Sequence, residues 1–374
     1  MAKFDTFNDP FDFRIRTLPE PNPDIQTLRV HSNEGVITRF RNLTHDTYEV
    51  VISCAEGSRK LCARAGQYGT IKVEGIQKPR SYSFAQTPEM ENPNEYTFFI
   101  RLVEGGELSG WLREKNREGE KVILSGPMGK FGLDDSMKTI IGIAGGSGMS
   151  AINAIAQQAK VQEIPRDFYF FYGARTQKDL YLVDELNAMG ENWPGGKTFK
   201  FIPVLSEEPE DSDWDGPRGF VTQYFQEEYL NKGVVNAENI KAFFCGPPPM
   251  IDHGVKVLQE AGLSKSDIYY DKFEDARSPA PVIDNEKCVL CDECLMAKPI
   301  KSCIVEATNF KVSNGEVTSF ERVNPSHTSG LYYNSLFIDE NECIRCYACI
   351  DACPHEAISP AYGHVPKTLR KFQS

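Results

Sequence analysis

Short alternating runs of apolar and polar residues mark the first part of the chain. Between residues 28 and 133 these runs are separated by turn residues, and they are GVITRF, TYEVVIS, GTIKVEG, EYTFFIRLV and EKVILSG. Period-two alternation bounded by turn residues is typical of antiparallel strands. The pattern therefore predicts an antiparallel β-barrel over residues 28–135, preceded by an extended segment at 1–27.

From residue 138 the pattern changes to buried strands separated by helical stretches. The strand candidates are TIIGIA, DFYFFYGA, KFIPVL and KAFFCG, with INAIAQQAK, DLYLVDELNAM and MIDHGVKVLQEAG between them. Apolar strands that alternate with helices predict βαβ units and a parallel sheet. We expect an α/β nucleotide-binding domain over 136–276, a proline-containing linker at 277–284 and a third domain at 285–374.

Cysteine sets the third domain apart, because eight of the eleven cysteines of the chain lie in it. They form two copies of a CxxCxxC triplet, each with a further cysteine downstream. The first triplet is Cys288, Cys291 and Cys294 with Cys303 downstream, and the second is Cys343, Cys346 and Cys349 with Cys353 downstream. A four-iron cluster needs four thiolates, and in two-cluster ferredoxins the fourth thiolate comes from the other motif.

Cross-ligation predicts one [4Fe-4S] cluster on Cys288, Cys291, Cys294 and Cys353, and a second on Cys343, Cys346, Cys349 and Cys303. Zinc is the alternative, since CxxC pairs also bind zinc. The paired triplets resemble those of bacterial two-[4Fe-4S] ferredoxins, which implies a small α+β domain. Eight residues separate Cys294 from Cys303, and Ile304 replaces the usual proline. A three-iron cluster therefore remains an alternative for the second centre. Residues 309–336 are predicted to be an inserted hairpin.

One tetrapeptide offers the groups that a flavin needs, which are a cation for its phosphates, an aromatic face for its ring and a hydroxyl near N5. It consists of Arg80, Ser81, Tyr82 and Ser83. The turn with Gly105, Gly106 and Ser109 precedes a predicted helix, whose first amide N–H groups can hold a pyrophosphate. For the tetrapeptide by itself, an exposed strand end is the alternative interpretation.

Glycine-rich strand ends in the second domain predict a dinucleotide site. Gly145, Gly146 and Gly148 lie between a strand and a helix, where glycine allows the backbone to approach a pyrophosphate. Arg175 follows the next strand, and Cys245, Gly246 and Pro247 follow a later one, at the edge where open α/β sheets bind ligands. Cys245 is a candidate for contacting the nicotinamide, and a buried structural thiol is the alternative.

In chain order, the motifs RSYS, GGxxS, GPxGxF, GGSG, YGAR and CGPPPM resemble the ferredoxin–NADP reductase superfamily from about residue 30 to Phe273. The chain is similar to the reductase components of phenol and toluene monooxygenases, which share the ending IYYDKF. The resemblance implies FAD with its phosphates on Arg80, its ring against Tyr82, its N5 near Ser83 and Phe273 over its nicotinamide side. Those reductases usually carry a [2Fe-2S] domain where this chain has paired [4Fe-4S] motifs.

The expected function is an NAD(P)H-dependent reductase, in which FAD takes a hydride and the clusters pass single electrons to a protein acceptor. The resemblance implies an oxygenase component as that acceptor, with Ser83, Cys245 and Phe273 at the reacting centre. Two alternatives stay open: an electron-transfer subunit of a larger redox complex, and a ferredoxin:NAD(P)+ oxidoreductase working in reverse. Arg175 and Lys178 favour NADPH, whereas reductases with a similar YGAR run generally use NADH, and we expect NADH.

Composition and charge exclude other classes. The chain has 374 residues, of which 40% are hydrophobic and 25% charged, as in globular proteins of two or three domains. A net charge of −12 without a basic cluster argues against nucleic-acid binding. The longest uncharged run, residues 139–158, holds several glycines, so no membrane span is expected. The first residues mix acids with aromatics and form no signal peptide, which predicts a cytoplasmic protein.

Overall fold

The structure of the protein is a computed structural model. It describes residues 30–86, 94–129, 131–272, 280–284, 287–300, 303–307, 311–313, 316–319, 335–339 and 342–360. The predicted N-terminal segment at 1–27 and the candidate Phe273 lie outside these residues. In the described part of the chain, no helix is long and apolar enough to cross a bilayer.

Six antiparallel strands form the first domain, in the order β4-β3-β6-β1-β2-β5. They are β1 (His31–Asn42), β2 (Thr47–Cys54), β3 (Tyr68–Val73), β4 (Arg80–Ser83), β5 (Glu95–Arg101) and β6 (Lys121–Met128). A bridge between Phe84 and Phe98 joins the two edges of the sheet, so the barrel is nearly closed. Alternate apolar side chains such as Ile52 and Leu124 fill its interior, and helix α1 (Glu107–Glu114) connects β5 to β6. The predicted barrel is confirmed.

The second domain is a parallel sheet with helices on both faces. Its strands, in the order β11-β10-β7-β8-β9, are β7 (Thr139–Gly145), β8 (Phe168–Ala174), β9 (Phe199–Leu205), β10 (Ile240–Gly246) and β11 (Ile268–Lys272). Its helices are α2 (Met149–Val161), α3 (Val183–Gly190), α4 (Val221–Tyr224), which continues as a π-helical turn, and α5 (Pro248–Glu260). The strand order runs outward in both directions from β7, and open sheets of this kind bind ligands at the carboxyl ends beside such a switch point.

The third domain consists of short elements around an apolar cluster that includes Cys294, Cys303 and Cys349. Its helices are α6 (Glu293–Ala297) and α7 (Ala348–Ala352). Its antiparallel pairs are β12 (Val282–Ile283) with β17 (Ile358–Ser359), β13 (Ile304–Ala307) with β16 (Ser335–Ile338), and β14 (Lys311–Ser313) with β15 (Glu316–Ser319). This is the predicted α+β arrangement, and β14 and β15 lie within the predicted insertion.

A close approach between two strand ends fixes the turn before α2. A Cβ atom at Gly148 would lie 1.9 Å from the carbonyl oxygen of Cys245, at the end of β10. The backbone of Gly148 has φ −60° and ψ −17°, which any L-residue can adopt. Glycine is therefore required here by the packing of the turn on β10, and not by the backbone conformation.

We predict that Gly148→Ala destabilises the second domain by about 2–3 kcal/mol, because the new methyl group has to displace backbone. Gly110→Ala is the matched control, since a Cβ at Gly110 in α1 meets nothing within 4 Å. That change should stabilise the protein by about 0.5–1 kcal/mol through helix propensity. Differential scanning calorimetry measures both effects, and an unchanged transition in Gly148→Ala would contradict the packing argument.

Candidate functional site

A cavity of about 1510 Å³ lies where the three domains meet. It exceeds the roughly 300–1,000 Å³ of pockets for drug-sized ligands and has room for a dinucleotide. Its walls come from β4, the turn before α1, the carboxyl ends of β7, β8 and β11, and the loop at 343–347. The flavin and nucleotide candidates that line it are Arg80, Ser81, Tyr82, Ser83, Gly105, Gly106, Ser109, Gly145, Gly146, Arg175 and Pro247. Among the described candidates of these two kinds, Gly148, Cys245 and Gly246 do not line it.

Strand β4 carries the candidate flavin residues along one wall. Arg80 forms an ion pair with Glu107 at the start of α1, with 2.7 Å between Nη2 and Oε2. Tyr82 packs against the apolar interior of the barrel. The Oγ atom of Ser81 is buried and has no hydrogen-bond partner among the described residues. A buried hydroxyl without a partner is rare in proteins, so a polar ligand atom fits this position.

The turn at the start of α1 is tightly built around Ser109. The Ser109 hydroxyl accepts a hydrogen bond from the amide of Val103 at 3.1 Å. A Cβ atom at Gly106 would lie 2.4 Å from this hydroxyl, and Gly105 has φ +71°, a conformation that favours glycine. The hydroxyl of Ser109 thus shapes the turn, and the turn brings the N-terminus of α1 to the cavity wall. Partial positive charge at that terminus suits a pyrophosphate.

Two polar groups of the cavity wall, Ser83 and Asp271, meet a third, Cys245, which lies behind the wall. Ser83 Oγ donates a hydrogen bond to Asp271 Oδ2 at 3.2 Å, and the thiol of Cys245 lies 4.0 Å from the same oxygen. Parallel pairing of β10 with β11 sets Cys245 opposite Asp271. Removal from bulk water raises the pKa of Asp271 to about 7. Asp271 was not predicted from the sequence, although it lies in the IYYDKF run.

Acidic side chains surround the candidate cation at the end of β8. Arg175 Nη2 lies 3.5 Å from Asp46 Oδ2 and 3.6 Å from Asp179 Oδ1. Asp46 also accepts a hydrogen bond from Arg101 at 2.8 Å. Glu208 accepts hydrogen bonds from the backbone amide of Gln177 at 2.8 Å and from its side-chain amide at 3.0 Å. The positive charge of Arg175 is therefore already balanced by carboxylates.

The structure brings the eight clustered cysteines together in two sets. Cys288, Cys291, Cys294 and Cys353 line one small cavity. The thiols of Cys346 and Cys349 interact electrostatically with those of Cys303 and Cys343. These are the two sets that cross-ligation predicts. Burial raises the pKa of Cys294 and of Cys303 to about 11, and bound iron would offset that cost by stabilising the thiolates.

Both cysteine triplets have the same local backbone conformation. In the first, Leu290 and Asp292 on either side of the middle cysteine have φ of 55° and 62°. In the second, Arg345 and Tyr347 at the matching positions both have φ of 58°. Left-handed residues are uncommon outside glycine, so their repetition at the same two positions shows that the two triplets share one loop conformation.

Three family models match the chain in domain order. They are the oxidoreductase FAD-binding domain at residues 34–132, the oxidoreductase NAD-binding domain at 143–256 and the 4Fe-4S binding domain at 336–359. The chain is 36% identical over 248 residues to the xylene/toluene monooxygenase electron transfer component of Pseudomonas putida, covering 66% of this chain and 67% of the relative. It is 31% identical over 273 residues to the phenol 2-monooxygenase reductase component of Pseudomonas sp. (strain CF600), covering 72% and 73%.

Solved structures agree with the sequence matches. The cytochrome P450 reductase of Amycolatopsis superimposes with a TM-score of 0.58 at 29% identity, over 65% of this chain and 70% of that one. The ferredoxin reductase in carbazole 1,9a-dioxygenase superimposes with a TM-score of 0.57 at 28% identity, over 66% and 70%. The chain therefore belongs to the ferredoxin–NADP reductase superfamily of FAD- and NAD(P)H-dependent oxidoreductases, as a member with a C-terminal 4Fe-4S domain.

Proposed function

We propose that the protein takes electrons from NADH and delivers them through two [4Fe-4S] clusters to an oxygenase component. Its relatives are named as electron transfer or reductase components of monooxygenases. The observation that supports this function is the shared cavity, whose wall includes the flavin strand, the nucleotide-sheet ends and the loop with Cys343 and Cys346. Bound FAD supplies the exchange between paired electrons from the nicotinamide and single electrons for iron.

Arg80, Ser81 and Tyr82 hold the flavin in this proposal, with Gly105, Gly106 and Ser109 shaping the phosphate site. The unpartnered Oγ of Ser81 supports a ligand at this wall. Arg80 can exchange its partner at low cost, because Glu107 is 56% exposed and exposed ion pairs contribute little stability. The guanidinium is then available for a phosphate, which it binds with charge-assisted hydrogen bonds.

Ser83, Asp271 and Cys245 form the hydride end of the site, together with Phe273 as the resemblance implies. A nicotinamide ring gains positive charge as it gives up its hydride. The carboxylate of Asp271 stabilises that charge when it is ionised, and the hydrogen bond from Ser83 holds it in place. Cys245 packs behind them as a neutral thiol, since burial raises its pKa well above the ordinary value.

We infer that NADH is the preferred cofactor. Gly145, Gly146 and Pro247 shape the dinucleotide end of the cavity, and Arg175 lies at its edge. A 2′-phosphate near Arg175 would meet a cation whose charge is already balanced by Asp46 and Asp179. A third carboxylate, that of Glu208, is hydrogen-bonded to Gln177, two residues after Arg175. Repulsion between the carboxylates and a phosphate disfavours NADPH.

Two clusters of four irons each, on the two cysteine sets, complete the proposed electron path. The repeated left-handed residues around Cys291 and Cys346 support equal centres, including at the set that contains Cys303. We propose the domain limits 28–135, 136–276 and 285–374, within which the three family matches fall.

We predict that Arg80→Ala weakens FAD binding at least about tenfold, since one charge-assisted pair to phosphate is lost. Iron content should stay unchanged, because the cysteines lie in another domain. Arg113→Ala is the matched control, an exposed arginine in the last turn of α1 that does not line the cavity. Flavin and iron analysis of the purified variants decides this, and full FAD occupancy in Arg80→Ala refutes the assignment.

We predict that flavin reduction by NADH accelerates as the pH rises through about 7, because Asp271 ionises with that pKa. The carboxyl group of Asp271 is neutral below this pH and charged above it, so flavin reduction is faster on the alkaline side. Asp271→Asn should give a slow rate without this step, whereas Asp211→Asn, an exposed acid, should retain it. Anaerobic stopped-flow spectroscopy measures the profile. An unaltered step in Asp271→Asn would assign it to another group.

We predict that kcat/KM is about tenfold higher for NADH than for NADPH, which corresponds to about 1.4 kcal/mol of discrimination. Glu208→Gln should narrow the ratio, since it removes one of the carboxylates that repel a 2′-phosphate. Steady-state kinetics with both cofactors checks this. A higher kcat/KM for NADPH would reverse the inference and identify Arg175 and Lys178 as its cause.

A further inference from the structure

The two cysteine sets differ in their relation to the large cavity. Cys343 and Cys346 line it, together with Arg345 and Asp351. Among the described residues, the cysteines of the other set do not line the large cavity. They line a separate small cavity, and they are Cys288, Cys291, Cys294 and Cys353. The proposed flavin site therefore has one cysteine loop in its wall, while the second lies beyond it.

Tyr68 of the barrel joins this loop to the flavin strand. It pairs with Ser83 in the β3–β4 register. Its hydroxyl donates a hydrogen bond to the carbonyl oxygen of Cys346. Its ring packs with Met128 and Ala348, in a cluster that spans the barrel and α7.

The surroundings of Tyr68 restrict it to this contact. A Cβ atom at Gly129 would lie 2.9 Å from the ring, so glycine there leaves space for it. The groups that interact electrostatically with its hydroxyl include Asp271 on the hydride side, and Asp351, Cys346 and Cys349 on the ferredoxin side. Tyr68 thus lies between the groups proposed for hydride transfer and the loop of one cysteine set.

We propose that electrons enter the ferredoxin domain at the cluster on Cys343, Cys346, Cys349 and Cys303 and leave from the cluster on Cys288, Cys291, Cys294 and Cys353. Tyr68 is the positioning residue that holds the entry loop against the flavin site. This order rests on the proposed function. It places the exit beside Val289 and Met296, which are 50% and 56% exposed and are accessible to a protein acceptor.

The electron count balances along this path. NADH becomes NAD+ as it gives up one hydride, which carries two electrons and one proton. The two electrons pass singly from the entry cluster to the exit cluster, and each reduces the acceptor by one electron. The proton is released to solvent. One NADH therefore supports two single-electron reductions of the acceptor.

Tyr68→Phe tests the contact between the barrel and the entry loop, because it keeps the aromatic ring and removes the hydrogen bond to the carbonyl oxygen of Cys346. After rapid anaerobic mixing with NADH, flavin absorbance and freeze-quench EPR separate flavin reduction from cluster reduction. We expect flavin reduction within about twofold of wild type and cluster reduction slowed about fivefold, with faster hydrogen exchange over residues 344–348. Tyr48→Phe is the control, since Tyr48 stacks on Phe40 and does not line the cavity.

Unchanged cluster reduction in Tyr68→Phe overturns the positioning role. Failure of the proposed function would look different, because wild-type flavin would then not be reduced by NADH at all. A merely structural role would lower FAD occupancy and flavin reduction together, and would leave the ratio of the two rates unchanged.

Ligand variants test the order of the clusters. Cys291→Ser removes a ligand of the proposed exit cluster, and the entry cluster should still be reduced by NADH at the wild-type rate. Cys346→Ser removes a ligand of the entry cluster, and NADH should reduce the exit cluster at least about tenfold more slowly than in wild type. Dithionite reduction, read by EPR, shows which cluster each variant retains.

If Cys291→Ser slows reduction of the remaining cluster and Cys346→Ser does not, the order of the two clusters is the reverse of the one proposed. If both variants slow reduction of the remaining cluster equally, the two clusters do not act in series. Where Cys346→Ser loses both clusters on folding, Tyr68→Phe decides the entry point, because it keeps all eight cysteines.

Discussion

The site depends on three distant segments being packed around one cavity: strand β4, strand β11, and the loop with Cys343 and Cys346. The bridge between Phe84 and Phe98 closes the barrel next to β4. The β10–β11 register sets Asp271 opposite Cys245, and Ser83 of the barrel donates a hydrogen bond to Asp271 at 3.2 Å. Because hydride transfer needs reacting groups in contact, each of these packing contacts bears on the chemistry.

Charge at the site is controlled by burial more than by the overall composition. The chain carries a net charge of −12, yet the acid at the inner end of the cavity, Asp271, has its pKa raised to about 7 because it is removed from bulk water. Beside Arg175, burial is the largest single effect on Asp46 and raises its pKa, but the hydrogen bond and charge of Arg101, together with hydrogen bonds from Thr47 and Thr44, outweigh burial and hold this pKa below the ordinary value. One cavity wall therefore holds both a titrating acid beside Ser83 and a network of ions around Arg175.

Local patterns in the sequence were sufficient for the fold, because alternation and βαβ rhythm are properties of neighbouring residues. The motif residues on β4 and around Gly105, which the sequence singles out, line the cavity. Contacts between remote segments could not be predicted in this way. Ser83 and Asp271 are 188 residues apart, and Tyr68 and Cys346 are 278 apart. The position of Gly148 beside the carbonyl of Cys245 likewise depends on how the turn packs on the end of β10.

An anaerobic reductive titration tests whether one chain holds a two-electron flavin together with two single-electron clusters. Dithionite is added stepwise while flavin absorbance and the EPR signals of reduced iron–sulfur centres are recorded. We expect an uptake of about four electrons per chain, two for FAD and one for each cluster, with about eight iron atoms present. Uptake of only about two electrons, with zinc in place of iron, would contradict it.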